Sequence, residues 1–269
     1  MTLRAVLIGM AVMLAGTLPR NALFVANLRI VPAFPWAVPI VAVYLWIFWR
    51  YLRRAGLRAG PVSARVWVWS LIAGGLGIVA LVLGLRLLNR LVVLPTQELP
   101  AAFLTLPRIT ALTLLFAAAP IAGIVEESAF RGFMQEPIER AHGLMLAILI
   151  TGTMFAVAHL DFTPALWPYY VAVSAIYGVV TYHAKSVLPA IVLHTAGNTY
   201  SNLDLWLHGR SDWQSPGGPN ALIWNTGVDA AFWKASVAFV VVAGLTVWAY
   251  GRLARVSRQE ARRRGEEEL

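Results

Sequence analysis

Two adjacent carboxylates and an arginine interrupt an otherwise apolar stretch of this 269-residue chain. The stretch reads AAAPIAGIVEESAFRGFMQ, so Glu126, Glu127 and Arg131 lie in a segment that is suited to lipid. Each ionised group near the centre of a bilayer costs about 2.5–3.5 kcal/mol on insertion scales, so the three must face a bundle interior or a water-filled cavity. A carboxylate in such a cavity can take a proton from water and return it, which is general acid–base chemistry.

Helical spacing relates these charged groups to one another. Glu127 and Arg131 are four residues apart and share one helical face, so we expect an ion pair between them. Glu126 is rotated by about 100° from Glu127 and is therefore freer to take a proton. Taken alone, the segment is equally compatible with an ordinary Glu–Arg pair at the cytoplasmic end of a helix.

Histidine and asparagine interrupt two further apolar segments. In TGTMFAVAHLDF, Phe155 and His159 are four residues apart, so the aromatic ring can pack over the imidazole. In SVLPAIVLHTAGNTYSN, His194, Asn198 and Asn202 form one polar stripe on an apolar helix. Such a stripe can also join helices through side-chain hydrogen bonds. Together with the two glutamates and the arginine, these residues form a candidate site.

The elements that must position these residues are apolar segments. Hydrophobic residues make up 59% of the chain and charged residues 13%, with a mean hydropathy of +0.67. The charged fraction is about half that of a soluble domain. Eight apolar segments occur, at residues 3–18, 36–52, 66–88, 109–134, 144–162, 164–182, 186–203 and 230–250. We predict an all-α, polytopic membrane helix bundle with about eight transmembrane helices. For the short first segment, a cleaved signal peptide is the alternative.

Arginines lie between the apolar segments, where the positive-inside rule explains the net charge of +9 without a nucleic-acid partner. The 53–65 connection carries four arginines and no acidic residue: Arg53, Arg54, Arg58 and Arg65. The tail carries six: Arg252, Arg255, Arg258, Arg262, Arg263 and Arg264. The 204–229 connection holds one arginine and three aspartates: Arg210, Asp204, Asp212 and Asp229. We predict a multi-pass protein of the cell membrane with both termini in the cytoplasm and the 204–229 connection outside.

This topology separates two of the candidate residues along the membrane normal. Glu126 lies near the middle of its span, whereas His159 comes late in the next one. We therefore expect the fourth span to continue as a helix past Arg131, and the fifth to extend beyond His159 to Pro164. Either extension would bring the two side chains closer in depth.

The three polar motifs together resemble those of a known family. EESAFR fits Glu-Glu-x-x-x-Arg, FAVAH fits Phe-x-x-x-His and HTAGN fits His-x-x-x-Asn, in that order along the chain. In these motifs the chain is similar to the CPBP intramembrane proteases, which include the type II CAAX prenyl proteases and the Abi or bacteriocin-immunity proteins. The resemblance covers about residues 105–203, and no motif position departs from the pattern.

The resemblance implies an all-helical membrane protein that hydrolyses a peptide bond of a membrane-associated or lipidated protein substrate. The family's catalytic positions correspond to Glu126, Glu127, His159, His194 and Asn198, and its supporting positions to Arg131 and Phe155. The chain then divides into N-terminal spans of unassigned role (1–104), a protease core (105–203), and an external loop with the last span and a basic cytoplasmic tail (204–269). Prenylated CAAX-type tails, sorting-signal tails and bacteriocin-related peptides are all compatible substrates.

Two mechanisms use the same residues, and the absence of cysteine excludes thiolate catalysis. Without a metal, Glu126, alone or with its neighbour, deprotonates a water held with His159, while His194 and Asn198 stabilise the oxyanion. With Zn, His159, His194 and Glu126 form the two-histidine, one-carboxylate set of catalytic zinc sites. Between no cofactor and Zn we favour none, because Arg131 beside the carboxylates disfavours a nearby dication.

Two other classes of membrane protein could carry these residues. Chains of Glu and His relay protons in transporters, but the paired broken helices or repeat symmetry typical of transporters are not visible in the sequence. A catalytically silent scaffold or bacteriocin-immunity protein could keep the motifs for structural reasons. The joint presence of all three motifs favours the protease.

Overall fold

The computed structural model describes residues 1–95, 97–160, 162–209, 222–263 and 265. Over these residues the chain is helical and contains no strand, only an isolated bridge between Ala59 and Ser186. The helices are α1 (Thr2–Ile30), α2 (Ala37–Arg54), α3 (Ala64–Leu88), α4 (Ala101–Leu104), α5 (Arg108–Glu127), α6 (Glu136–His142), α7 (Leu144–Ala158), α8 (Trp167–Ala184), α9 (Leu188–His208), α10 (Ile223–Thr226) and α11 (Ala230–Arg263). A π-helix, Ser128–Gln135, joins α5 to α6, and a 3₁₀ turn, Pro164–Leu166, precedes α8. The predicted all-α bundle is confirmed.

Four helical stretches within the described ranges are long and apolar enough to cross a membrane: Thr2–Ile30, Ala64–Leu88, Arg108–His142 and Ala230–Arg263. The chain is a multi-pass membrane protein. Each of the eight predicted segments overlaps a helix. The count of eight crossings and the cytoplasmic position of the termini stay predictions.

The first helix is longer than the first apolar segment, because α1 continues through Pro19 and Arg20 to Ile30. It lies close against the helix that carries the two glutamates. A Cβ at Gly16 would lie 2.4 Å from Cγ1 of Val125, the residue that precedes Glu126. Small residues let membrane helices approach one another in this way.

The contact between α5 and α9 depends on Gly123. A Cβ at this position would lie 2.5 Å from Oγ1 of Thr195 and 3.1 Å from the carbonyl oxygen of Ile191. Gly123 lies one turn before the two glutamates, and Thr195 directly follows His194. The close approach of the two helices therefore brings the carboxylates to the histidine.

The helices around the site end differently from one another. From α5 the chain stays helical through the π-helix and α6 to His142, so the predicted continuation past Arg131 is confirmed. The predicted extension of the next helix to Pro164 is wrong, because α7 ends at Ala158. Leu160 has a φ of 54°, which breaks the helix, and a proline disfavours helical geometry in the residue before it.

One end of the bundle is tied together by Arg58, in the connection between α2 and α3. Its Nη1 donates to Oε1 of Glu139 at 2.7 Å, and both side chains are 7% exposed. Its carbonyl accepts from the backbone N–H of Val187, which links the connection to the start of α9. Arg58, one of the four arginines used above to predict the membrane topology, therefore has a buried partner on α6.

Near the other end of α3, Arg90 forms an ion pair with Asp229 at 2.9 Å. The backbone N–H of Ile223 donates to the carbonyl of Arg90, so the segment before α11 is held against the end of α3. Asp204 lies within α9, whereas Arg210 and Asp212 lie outside the described residues. At the C-terminus, α11 continues well beyond residue 250, and Arg264 lies outside the described residues.

Candidate active site

A cavity of about 410 Å³ opens among α3, α5, α7, α8 and α9. Four of the five predicted catalytic residues line it: Glu126, His159, His194 and Asn198. They come from two helices, α5 and α9, and from the end of a third, α7, so the fold brings together groups that are up to 72 residues apart in the sequence. The fifth, Glu127, does not line the cavity and lies behind its wall.

Glu127 is fully buried and holds two partners with one oxygen atom. Its Oε1 lies 2.7 Å from Nδ1 of His194 and 3.1 Å from Nη1 of Arg131. An ionised carboxylate only accepts hydrogen bonds, so Nδ1 of His194 carries the proton that is donated to it. Glu127 thereby determines the orientation of the His194 ring.

Glu126 reaches the cavity from the neighbouring position on the helix. Its Oε2 lies 3.6 Å from Nε2 of His194, which is longer than a hydrogen bond. Its side chain is 11% exposed, against 0% for Glu127. The two carboxylates thus flank the two nitrogens of one imidazole, and Glu126 is the one that a solvent molecule in the cavity can contact.

Arg131 is fully buried, and the ion pair with Glu127 that its spacing predicts is present. Its Cζ lies 5.3 Å from the ring centroid of Phe155, 5.4 Å from that of Tyr177 and 5.9 Å from that of Phe130. Its Nε and Nη2 make no hydrogen bond within the described part of the chain. Cation–π attraction to three rings compensates for part of the lost hydration of the guanidinium.

His159 is the residue that ends α7, and the predicted packing of Phe155 on its ring is present at 4.5 Å between centroids. Its Nδ1 lies 2.8 Å from the carbonyl oxygen of Phe155. A carbonyl only accepts, so Nδ1 is the protonated nitrogen, and Nε2 of a neutral ring is left as an acceptor. The end of the helix therefore determines the tautomer of His159.

The two asparagines of the polar stripe on α9 differ in their contacts. Asn202 donates through Nδ2 to the carbonyl oxygen of Leu115 on α5 at 2.8 Å, which is the helix-joining contact that such a stripe can provide. Asn198 lines the cavity and makes no side-chain hydrogen bond to another described residue. Its amide is therefore available to a ligand in the cavity.

Residues 108–200 match the family model described as type II CAAX prenyl endopeptidase Rce1-like. The chain contains an Rce1-like domain. The predicted resemblance to the CPBP and CAAX proteases is thereby confirmed, and all seven predicted site residues lie inside the matched third of the chain. The domain supports an intramembrane protease activity and classes the chain with hydrolases. No curated protein and no solved structure matches the chain.

Residues outside the Rce1-like domain also contribute to the site. Leu81 of α3 and Gln97, in the connection that follows α3, line the cavity. Arg20 of α1 interacts electrostatically with Glu126. Sequence analysis missed Arg20, because the first apolar segment was taken to end at residue 18. The three-dimensional packing of α1 on α5 is what brings this cation to the site.

Within the Rce1-like domain, sequence analysis missed Tyr177 and the π-helix. The ring of Tyr177 is parallel to that of His194, at 5.0 Å and 10°. Gln135, at the end of the π-helix, donates to the carbonyl of Gly178 and to Glu139, which anchors that end. A π-helical turn inside a longer helix is frequent at functional sites. The sequence signal that could have identified Tyr177 is its spacing of seven residues from Tyr170, which places both on one helix face. Both tyrosines line the cavity.

The described side chains do not form a metal site in this arrangement. Among the described residues, no three His, Asp, Glu or Cys side chains are grouped so that they could hold one metal ion. Nδ1 of His194 is engaged by Glu127, and its Nε2 is directed at Glu126. The two-histidine, one-carboxylate set is therefore not assembled among the described side chains.

Proposed function

We propose that this protein is an intramembrane endopeptidase that hydrolyses a peptide bond of a membrane-associated or lipidated protein, using water activated by Glu126. The supporting observation is that the two adjacent glutamates have different surroundings. Glu127 is buried and bound to His194 and Arg131, whereas Glu126 opens into the cavity. The Rce1-like domain supports the same class of reaction.

The attack step uses the groups that line the cavity. Glu126 takes one proton from a water molecule, and Nε2 of His159 accepts a hydrogen bond from the other hydrogen and orients that water. The water oxygen forms a bond to the carbonyl carbon, and the π electrons of the carbonyl move to its oxygen. General base catalysis of this kind contributes about 10²–10⁴-fold to the rate.

The charge on that oxygen is stabilised by His194 and Asn198. Nδ1 of His194 is engaged by Glu127 at 2.7 Å, whereas Nε2 lies 3.6 Å from Glu126, so Nε2 is the nitrogen left to face the substrate oxygen. Donors aimed at the developing negative charge lower the barrier.

The second step breaks the C–N bond. Glu126 returns its proton to the leaving nitrogen, so the products are a carboxylic acid and an amine, and the site returns to its starting state. No metal takes part.

We propose that the substrate binds as an extended segment, since the peptide bonds of a helix are shielded from attack, and that the side chains of α3 and α8 enclose it.

The test uses the full-length protein in proteoliposomes. Probes are a peptide ending in a prenylated CAAX sequence, which the family description indicates, its unprenylated copy, and a library of membrane-protein tails. Cleavage by the wild type should disappear in Glu126→Gln. Glu136→Gln is the matched control, because Glu136 lies ten residues further along and pairs with Arg140 outside the cavity. Equal cleavage by wild type and Glu126→Gln, or no cleavage of any probe, contradicts the proposal.

A further inference from the structure

Tyr177, on α8, is held against the groups at the centre of the site. Its ring is parallel to the imidazole of His194, with 5.0 Å between centroids, and it lies 5.4 Å from Cζ of Arg131. The residue is 6% exposed and lines the cavity. Its aromatic ring is therefore fixed in place by two of the buried groups described above.

The hydroxyl group of Tyr177 lies beside α9. A Cβ built on Gly197 would be 3.4 Å from this hydroxyl oxygen. Gly197 is three residues after His194 and directly precedes Asn198, so the hydroxyl lies one helical turn from the histidine. All four residues line the same cavity.

This hydroxyl differs from those of other tyrosines in the bundle. Tyr250 donates to the carbonyl oxygen of Ile176 at 2.9 Å, and Tyr44 donates to that of Ala15. A buried tyrosine usually has such a partner. The hydroxyl of Tyr177 makes no hydrogen bond to another residue that the structure describes, and neither does the amide of Asn198. Two donors on one cavity wall are thus left for a ligand.

We propose that Tyr177 donates its hydroxyl hydrogen to the oxyanion of the tetrahedral intermediate, beside Asn198. The assignment rests on the proposed peptidase function. When the water oxygen bonds to the carbonyl carbon, Glu126 takes the proton and the π electron pair moves to the carbonyl oxygen. That oxygen accepts a hydrogen bond from Tyr177 in addition to the stabilisation by His194 and Asn198. When the C–N bond breaks, the pair on oxygen re-forms the carbonyl, Glu126 returns its proton to the leaving nitrogen, and the hydrogen-bond donors are released.

The arrangement suits this role because the donor is placed before the reaction begins. Oxyanion stabilisation is effective when the donors need not reorganise as charge develops. The stacked ring restricts both side-chain torsions of Tyr177, and a phenol stays protonated at neutral pH. Since the hydroxyl makes no hydrogen bond to a described residue, directing it at the substrate breaks none of those bonds.

The experiment compares Tyr177→Phe with Tyr250→Phe, each of which removes one hydroxyl and keeps the ring. Steady-state cleavage of the best probe in the panel above and thermal unfolding are measured for both, with Glu126→Gln as the inactive reference. Tyr177→Phe should lower kcat about 100-fold, with KM within about twofold and an unchanged unfolding midpoint. Tyr250→Phe should lower the midpoint and leave kcat unchanged, because its hydroxyl makes a structural hydrogen bond.

The outcomes separate this assignment from the proposed function. Wild-type kcat in Tyr177→Phe, while Glu126→Gln is inactive, overturns the oxyanion role alone. A loss that comes with a lowered midpoint, or that is confined to KM, also overturns it, since the hydroxyl then acts in folding or in substrate binding. Cleavage that does not depend on Glu126 overturns the proposed function and this assignment with it.

Discussion

Nδ1 of His194 lies 2.7 Å from Oε1 of Glu127, across the interface between α9 and α5. The two residues are 67 positions apart, and neither is exposed by more than a few per cent. The bond orients the imidazole so that its other nitrogen is directed at Glu126. In the proposed mechanism, Glu127 is therefore a positioning residue, and its neighbour Glu126 carries out the chemistry.

Glu127→Gln should reduce both stability and activity. The substitution leaves Arg131 without its buried counter-ion, and breaking a buried pair costs about 3–5 kcal/mol. Thermal unfolding in detergent and kcat are the measurements. The matched control is Glu136→Gln, which breaks the i,i+4 pair with the largely exposed Arg140 and should cost at most about 1 kcal/mol. Equal stability of the two variants would mean that the buried pair contributes no more than a surface one.

Arg131→Ala should destabilise the protein more than Arg131→Lys does. Lysine keeps the charge opposite Glu127 but loses the planar group that lies among three aromatic rings. We expect the lysine variant to recover part of the unfolding midpoint and part of kcat. If Arg131→Ala matches the wild type in both measurements, Arg131 acts only as a charge that orients its helix in the membrane.

Gly123→Ala should separate α5 from α9. Its Cβ would lie 2.5 Å from a side-chain atom and 3.1 Å from a backbone oxygen of α9, so the helices must shift. We expect kcat to fall at least tenfold, because the Glu127–His194 bond spans this interface. Gly75→Ala on α3 is the control, since a Cβ there meets nothing within 4 Å and replaces a glycine inside a helix. Retention of full activity by Gly123→Ala would show that the interface adapts.

Chelation should leave most of the activity intact. The described side chains are not grouped to hold a metal, and Arg131 beside the carboxylates disfavours a dication. Metal content and cleavage rate are measured on the same purified sample before and after extensive chelation. Stoichiometric zinc that is lost and restored together with activity would favour the two-histidine, one-carboxylate mechanism instead.

The Arg90–Asp229 pair should contribute to stability in a pH-dependent way. A side-chain hydrogen bond from Arg90 lowers the pKa of Asp229 below its ordinary value. Because the folded-state pKa is the lower one, the contribution is present above the unfolded-state value near 3.9 and disappears as the pH falls through the folded-state value. The unfolding midpoint of the wild type should exceed that of Asp229→Asn at pH 6, and the gap should narrow as the pH falls below the unfolded-state value. If the gap does not change with pH, the contribution comes from hydrogen bonding and not from the ionised carboxylate of Asp229.

Local relationships were readable from the sequence. The pairs Glu127–Arg131 and Phe155–His159 both formed as predicted, because residues four apart on a helix are neighbours whatever the rest of the fold does. The membrane class and the helical fold followed from the apolar segments for a similar reason. Lipid provides no partner for backbone polar groups, so a span of this kind has to be helical.

The contacts between helices were decided by the tertiary structure alone. Nothing in the spacing of Glu127 and His194 indicated that they would bond. The extent of α1 beyond Arg20 and the end of α7 at Ala158 were likewise not readable. Helix periodicity relates residues that lie within one or two turns of the same helix. Which faces of two helices meet depends on close packing at particular sites such as Gly123, where one added methyl group changes the distance between α5 and α9.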